Sequence, residues 1–119
     1  MRMEMYERTL KFAARVLKML KTLSHDIVDD VIVKQLTRSA TSIGANYREA
    51  CHARSSNDFA SKLKICEGEA NETLYWLLLL VESGIMKECK MSALIAEARE
   101  LVAIFTASTR KAYQNLSNK

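Results

Sequence analysis

The chain has 119 residues, 49% of them hydrophobic and 27% charged, with a net charge of +4. That length suits one ordinary domain, residues 1–119, and is too short for two, while the composition excludes a disordered, highly charged chain. Proline is absent and glycine occurs only three times, so the punctuation of β-turns is missing and an all-α fold is expected.

The first segment, Arg2 to Leu23, carries Leu10, Ala13, Leu17 and Leu20 on one row and Phe12, Val16, Met19 and Leu23 on the next. At 100° per residue the two rows merge into an apolar arc of about 160°, broader than one partner helix requires. Arg8, Lys11, Arg15, Lys18 and Lys21 occupy the opposite face. The second segment, Asp26 to Arg54, opens on Asp26, Asp29 and Asp30, acids favoured by the positive end of a helix dipole. Its apolar seam is Ile32, Leu36, Ala40, Ile43, Tyr47 and Ala50. Gln35, Arg38, Ser42, Asn46 and Glu49 form a separate polar row.

Ser55-Ser56-Asn57-Asp58 has the pattern of a capping box and starts a third helix. Phe59, Leu63, Cys66, Ala70, Leu74, Leu77 and Val81 make its seam, and Gly84-Ile85 reads as a left-handed C-cap with its hydrophobic contact. Leu74 to Val81 is apolar almost all round, which implies cover from outside a single bundle. After the polar connection Lys87-Glu88-Cys89-Lys90, a fourth helix is expected from Ser92 to about Asn115, striped by Leu94, Ala98, Leu101, Phe105, Ser108 and Ala112. Short links between long helices predict an antiparallel up-down four-helix bundle. Gly44 and Gly68 fall inside helices, where each costs about 1 kcal/mol, and tight helix crossing is the expected compensation.

Little in the chain resembles catalytic machinery. His25 sits at a helix link, and Cys51 and His52, adjacent on a helix, point about 100° apart and cannot act as nucleophile and base. Glu49 with His52 is the single Glu-x-x-His spacing, where bundle metal sites use pairs, so no metal and no cofactor are expected. Phosphate-binding glycine loops are absent. Glu67, Glu69 and Glu72 scatter over about 200° around their helix and read as a solvated or salt-bridged surface. Three widely spaced cysteines suit reduced thiols, the charged start lacks the apolar run of a signal peptide, and no stretch reaches about 18 apolar residues, so a cytoplasmic protein is expected.

Charge is more informative. Residues 2 to 23 hold six cations against two acids, so the first helix accounts for the whole net charge. A line of cations on one helix face suits the phosphates of a nucleic acid, and no aromatic residue interleaves it for base stacking.

The stretch from Gln35 to Leu80 resembles the bacterial four-helix-bundle proteins of the 23S rRNA intervening-sequence family. The matching positions are Gln35, Arg38, Ser39, Ser42, Ile43, Asn46, Glu49, Arg54, Phe59, Leu63 and Glu72. Tyr47-Arg48-Glu49-Ala50 and Gly68-Glu69 depart from the family's Ile-Ala-Glu-Gly and Gly-Ser. The resemblance implies an antiparallel bundle assembling into a homopentameric ring without established catalytic activity, and it extends to the accessory protein of diversity-generating retroelements. The matched row Gln35, Arg38, Ser42, Asn46 and Glu49 reads as a buried or interfacial hydrogen-bond network, structural or at an interface, because a merely solvated face would not need small uncharged residues, with Arg38 and Glu49 as candidates for pairing across helices or subunits. The expected function is non-enzymatic and oligomeric, with RNA or DNA bound through Arg8, Lys11, Arg15, Lys18 and Lys21. The alternative is a scaffold ring for a protein partner, with no nucleic-acid role.

Overall fold

A computed structural model describes residues 2–118 as four helices: α1 (Arg2–Leu20), α2 (Ile27–Cys51), α3 (Ser56–Glu82) and α4 (Glu88–Ser117). Each helix packs against the next in sequence, and a thinner α1–α4 seam closes the square, as the up-down order requires. The result is a rod of 51 × 23 × 20 Å.

The helix starts follow their caps. Asp26 accepts the Asp29 N–H at 2.7 Å and Ser55 accepts the Asp58 N–H at 3.0 Å, each relieving an orphan donor of the first turn. Gly84 adopts φ +80°, the left-handed conformation that glycine adopts without a Cβ clash, and the Met86 N–H returns to the Leu80 carbonyl at 3.0 Å. Ile85 packs against the core beside it.

Three boundaries differ from the sequence expectation, α2 among them in stopping at Cys51, three residues before Arg54. α1 ends at Leu20, with Lys21 and Thr22 in a turn, whereas the apolar pattern runs on because Leu23 is also buried. α4 begins at Glu88, a turn before Ser92. Lys87 supplies no capping side chain, and the helix is anchored instead by fully buried Met91.

The core contains Phe12, Val16, Leu36, Ile43, Leu63, Cys66, Leu77, Leu80, Met91, Leu101 and Phe105. In α3 the buried stripe runs through Ala60, Thr73 and Leu80, while Phe59, Leu74 and Val81 flank it. In α4 Thr109 takes the inward place expected for Ser108. Two hydroxyls meet inside the bundle, where Thr73 Oγ1 donates to Ser39 Oγ at 2.9 Å and so joins α2 to α3. Gly44 admits the close crossing expected of it: a Cβ there would stand 2.8 Å from Thr9 Oγ1. Gly68 does not. Nothing lies within 4 Å of a Cβ at that position, so its absence of a side chain serves no contact inside the chain.

Candidate nucleic-acid interface

The five cations Arg8, Lys11, Arg15, Lys18 and Lys21, the last in the turn after α1, fall into two groups. Arg8 lies against α4, where its Nε and Nη2 donate to the two oxygens of Glu97 at 2.7 and 2.8 Å. This fork holds the Glu97 carboxyl below the usual carboxylate range and pushes the guanidinium up. Lys11 pairs with Glu7 one turn back at 2.8 Å, on the open surface. Arg15, Lys18 and Lys21 are exposed, and no ion pair among the described residues includes them. Arg2 apart, the unpaired cations therefore gather in the C-terminal half of α1 and the turn after it, displaced from the centre of the line drawn from sequence. The arginine partner Glu97 was not legible beforehand, because the pair joins residues 89 apart in sequence.

The polar row of α2 is at the surface rather than in the core. Arg38 and Glu49 are exposed, and Gln35, Ser42 and Asn46 are half-buried. Arg38 crosses to α3, where it bonds Glu69 at 3.1 Å and also Glu72, and Gln35 Oε1 accepts from its Nε at 3.4 Å. Glu72 in turn accepts the Trp76 indole N–H at 3.1 Å. Glu69 and Glu72 thus converge, being about 60° apart around α3, while Glu67 turns away to Lys64. Ser42 and Asn46 bond carbonyls one turn back in their own helix. Glu49 makes no ion pair among the described residues.

Near the other end of the bundle, aromatic rings close the α1–α2 seam. Tyr47 sits edge-on between Tyr6 and Phe105, both with centroids 5.7 Å away, and the Arg48 guanidinium lies 4.4 Å over the Tyr6 ring. Burial, reinforced by the neighbouring Cys51, pushes the Tyr47 phenol up to about 12. The Cys66 thiol, buried between α2 and α3, is likewise raised to about 12. His52 Nδ1 lies 2.8 Å from the Arg48 carbonyl. No group of three histidine, cysteine or acidic side chains among the described residues could hold a metal ion. No helix among them is long and apolar enough to cross a membrane.

Two apolar grooves run along opposite sides of the rod. One, about 380 Å³, lies between α1 and α2 and is lined by Leu10, Ala13, Ala14, Leu17 and Ala45. The other, about 690 Å³, lies between α3 and α4 and is lined by Tyr75, Leu78, Leu79, Val81, Ile95 and Ala96. The broad arc of α1 and the apolar belt of α3 are the sequence signals of these grooves, since each has more apolar surface than its neighbours within the chain cover.

The family model for the 23S rRNA-intervening sequence protein matches residues 1–107. The chain belongs to this family. A solved relative is a protein of unknown function from the S23 ribosomal protein family of Bacteroides thetaiotaomicron VPI-5482. It is 35% identical, superposes with a TM-score of 0.83, and the match covers 92% of this chain and 97% of that one. No curated protein matches. For an intervening-sequence family protein with these helices, the family match spans α1 to α3 and most of α4.

Proposed function

We propose that this protein is a non-enzymatic cytoplasmic subunit that assembles with copies of itself and binds RNA or DNA electrostatically through α1. The observation that carries the proposal is the run of exposed cations Arg15, Lys18 and Lys21, none in an ion pair among the described residues, at the end of α1 and in the turn after it, within the segment 2–23 that accounts for the whole net charge. Phosphates would supply the missing counter-charge, with condensed counterions released as they bind. Arg8 and Lys11 add to the local potential but are already neutralised by Glu97 and Glu7.

Self-assembly is supported by the two grooves. They lie on opposite edges of the square of helices, so packing the α1–α2 face of one copy on the α3–α4 face of the next is a heterologous contact, which builds a ring where the rotation between copies closes. Five copies per ring is the number that the family resemblance implies. A scaffold ring serving a protein partner, without nucleic acid, would use the same grooves. Capture of that partner surviving nuclease treatment would favour it.

Binding of a labelled RNA measured at two salt concentrations tests the nucleic-acid role. If three phosphates are neutralised, affinity should fall about 40-fold between about 50 and about 200 mM salt. The triple variant R15Q/K18Q/K21Q should lose most of the affinity with its helical content unchanged. Salt-insensitive binding, or none, would reject the role.

A further inference from the structure

We propose that Arg15 and Lys18 of α1, together with Lys87 and Lys90 at the start of α4, form a two-sided clamp for the phosphate backbones of a nucleic-acid duplex. This rests on the nucleic-acid role above and names residues and a substrate form that it leaves open.

The juxtaposition follows from one ion pair and the antiparallel run of two helices. Arg8 and Glu97 fix the register of α1 against α4. Two turns onward along α1 stands Arg15, and two turns back along α4 stands Lys90, each about 10 Å from the ion pair in the same direction. One further turn brings Lys18 level with Lys87. Met19 and Thr22 of the α1 end share a depression of about 450 Å³ with Met86, Lys87 and Lys90, so the two segments do meet there. Arg15, seven residues after Arg8, lies within about 20° of it around α1 and so on the same face. Glu88 faces the other way, into the groove beside Leu78.

The seam therefore has a bidentate ion pair at one level and Arg15 across from Lys90 at the next, with Lys18 one turn on at the level of Lys87 but about 80° round α1 from Arg8. Apposed like charges weaken a helix–helix contact, so the stability of the bundle does not account for lysines at 87 and 90. An acid at either position would have repeated the Arg8–Glu97 arrangement. A polyanion laid along the seam removes the repulsion and gains from every cation at once.

The geometry favours a duplex over a single strand. Packed helices stand about 8–10 Å apart, a spacing comparable with the groove widths of about 6 to about 12 Å that separate the two backbones of a duplex. The depression is lined by Met19, Thr22, Ile85 and Met86 and offers no aromatic ring on which an unpaired base could stack.

The test is fluorescence anisotropy with a labelled DNA duplex and its single strand, using the full chain and four variants. K87Q/K90Q should bind the duplex at least about 10-fold more weakly and make the log–log salt slope shallower by about 2. K34Q/K62Q, which removes the same charge elsewhere, should bind as the native chain does. Lys90→Glu should place a carboxylate opposite Arg15, raising Tm while reducing binding further, an opposition of effects that misfolding cannot mimic. Native binding by K87Q/K90Q alongside loss in R15Q/K18Q/K21Q would overturn the clamp and leave α1 as the binding element. Single strand bound as tightly as duplex, an equal loss in K34Q/K62Q, or a lowered Tm in the Lys90→Glu variant would also overturn it. A native chain that binds neither nucleic acid removes the clamp and the nucleic-acid role together.

Discussion

Gly44 and Gly68 carry the same sequence argument and have different surroundings. At Gly44 an added methyl would stand 2.8 Å from Thr9 Oγ1 and 3.1 Å from Thr9 Cβ, and Thr9 is itself buried with its hydroxyl bonded to the Met5 carbonyl at 2.7 Å. Overpacking of this kind costs about 1–3 kcal/mol and outweighs the roughly 1 kcal/mol that alanine gains in a helix. Gly44→Ala should lower unfolding stability by about 1 kcal/mol, whereas Gly68→Ala should raise it by up to about 1 kcal/mol, both read from denaturant midpoints. A glycine's presence inside a helix was legible in the sequence. Whether a neighbour presses on it was not, because that depends on how α1 crosses α2. Arg38 shows the same limit: its membership of a polar row on α2 followed from spacing, while its exposed place and its partners Glu69 and Glu72 emerged only once α3 was laid beside it.

Among whole helices, the apolar periods of α1 and α2 located both elements and most of their inward faces. The start of α4 escaped because Lys87 to Lys90 has the composition of a loop and no capping residue, and burial of Met91 overrides that local signal. The α1–α4 seam followed from the up-down order, but the charge pair that sets its register, distant in sequence, did not. It has a pH signature. Glu97 is held below the usual carboxylate range by Arg8, so its stabilisation is complete above that range and is lost as pH falls through the lowered value. The pair is partly exposed, with side chains 37% and 19% accessible, so the contribution is about 1 kcal/mol or less. Glu97→Gln should flatten the fall in Tm between about pH 5 and about pH 3, which thermal melts across that range would register.

For the molecule as a whole, the sequence indicated a bundle with more apolar surface than it could cover, and the structure places that surface in two grooves facing opposite ways. Light scattering should give a mass several times the 13.5 kDa of one chain. Leu78→Glu, on the α3–α4 groove, should return the mass to that of a monomer without loss of helix. A monomeric native chain would mean that the grooves serve another partner. The positions of the grooves were not readable from periodicity alone, since a broad apolar arc does not say which side its neighbours leave open.

The closing seam also bears on how the chain reaches this state. Every strong helix contact joins segments adjacent along the chain, and the one distant closure, α1 on α4, is the thinnest. Little loop entropy must be spent before the main core contacts form, which places the bundle among fast-folding, locally connected topologies. α2, α3 and α4 can condense first around Leu77 and Leu101, with the Arg8–Glu97 pair formed as α1 docks. The seam that would receive a polyanion is then the last to close, and a ligand bound across it would tie the first helix of the folding chain to the last.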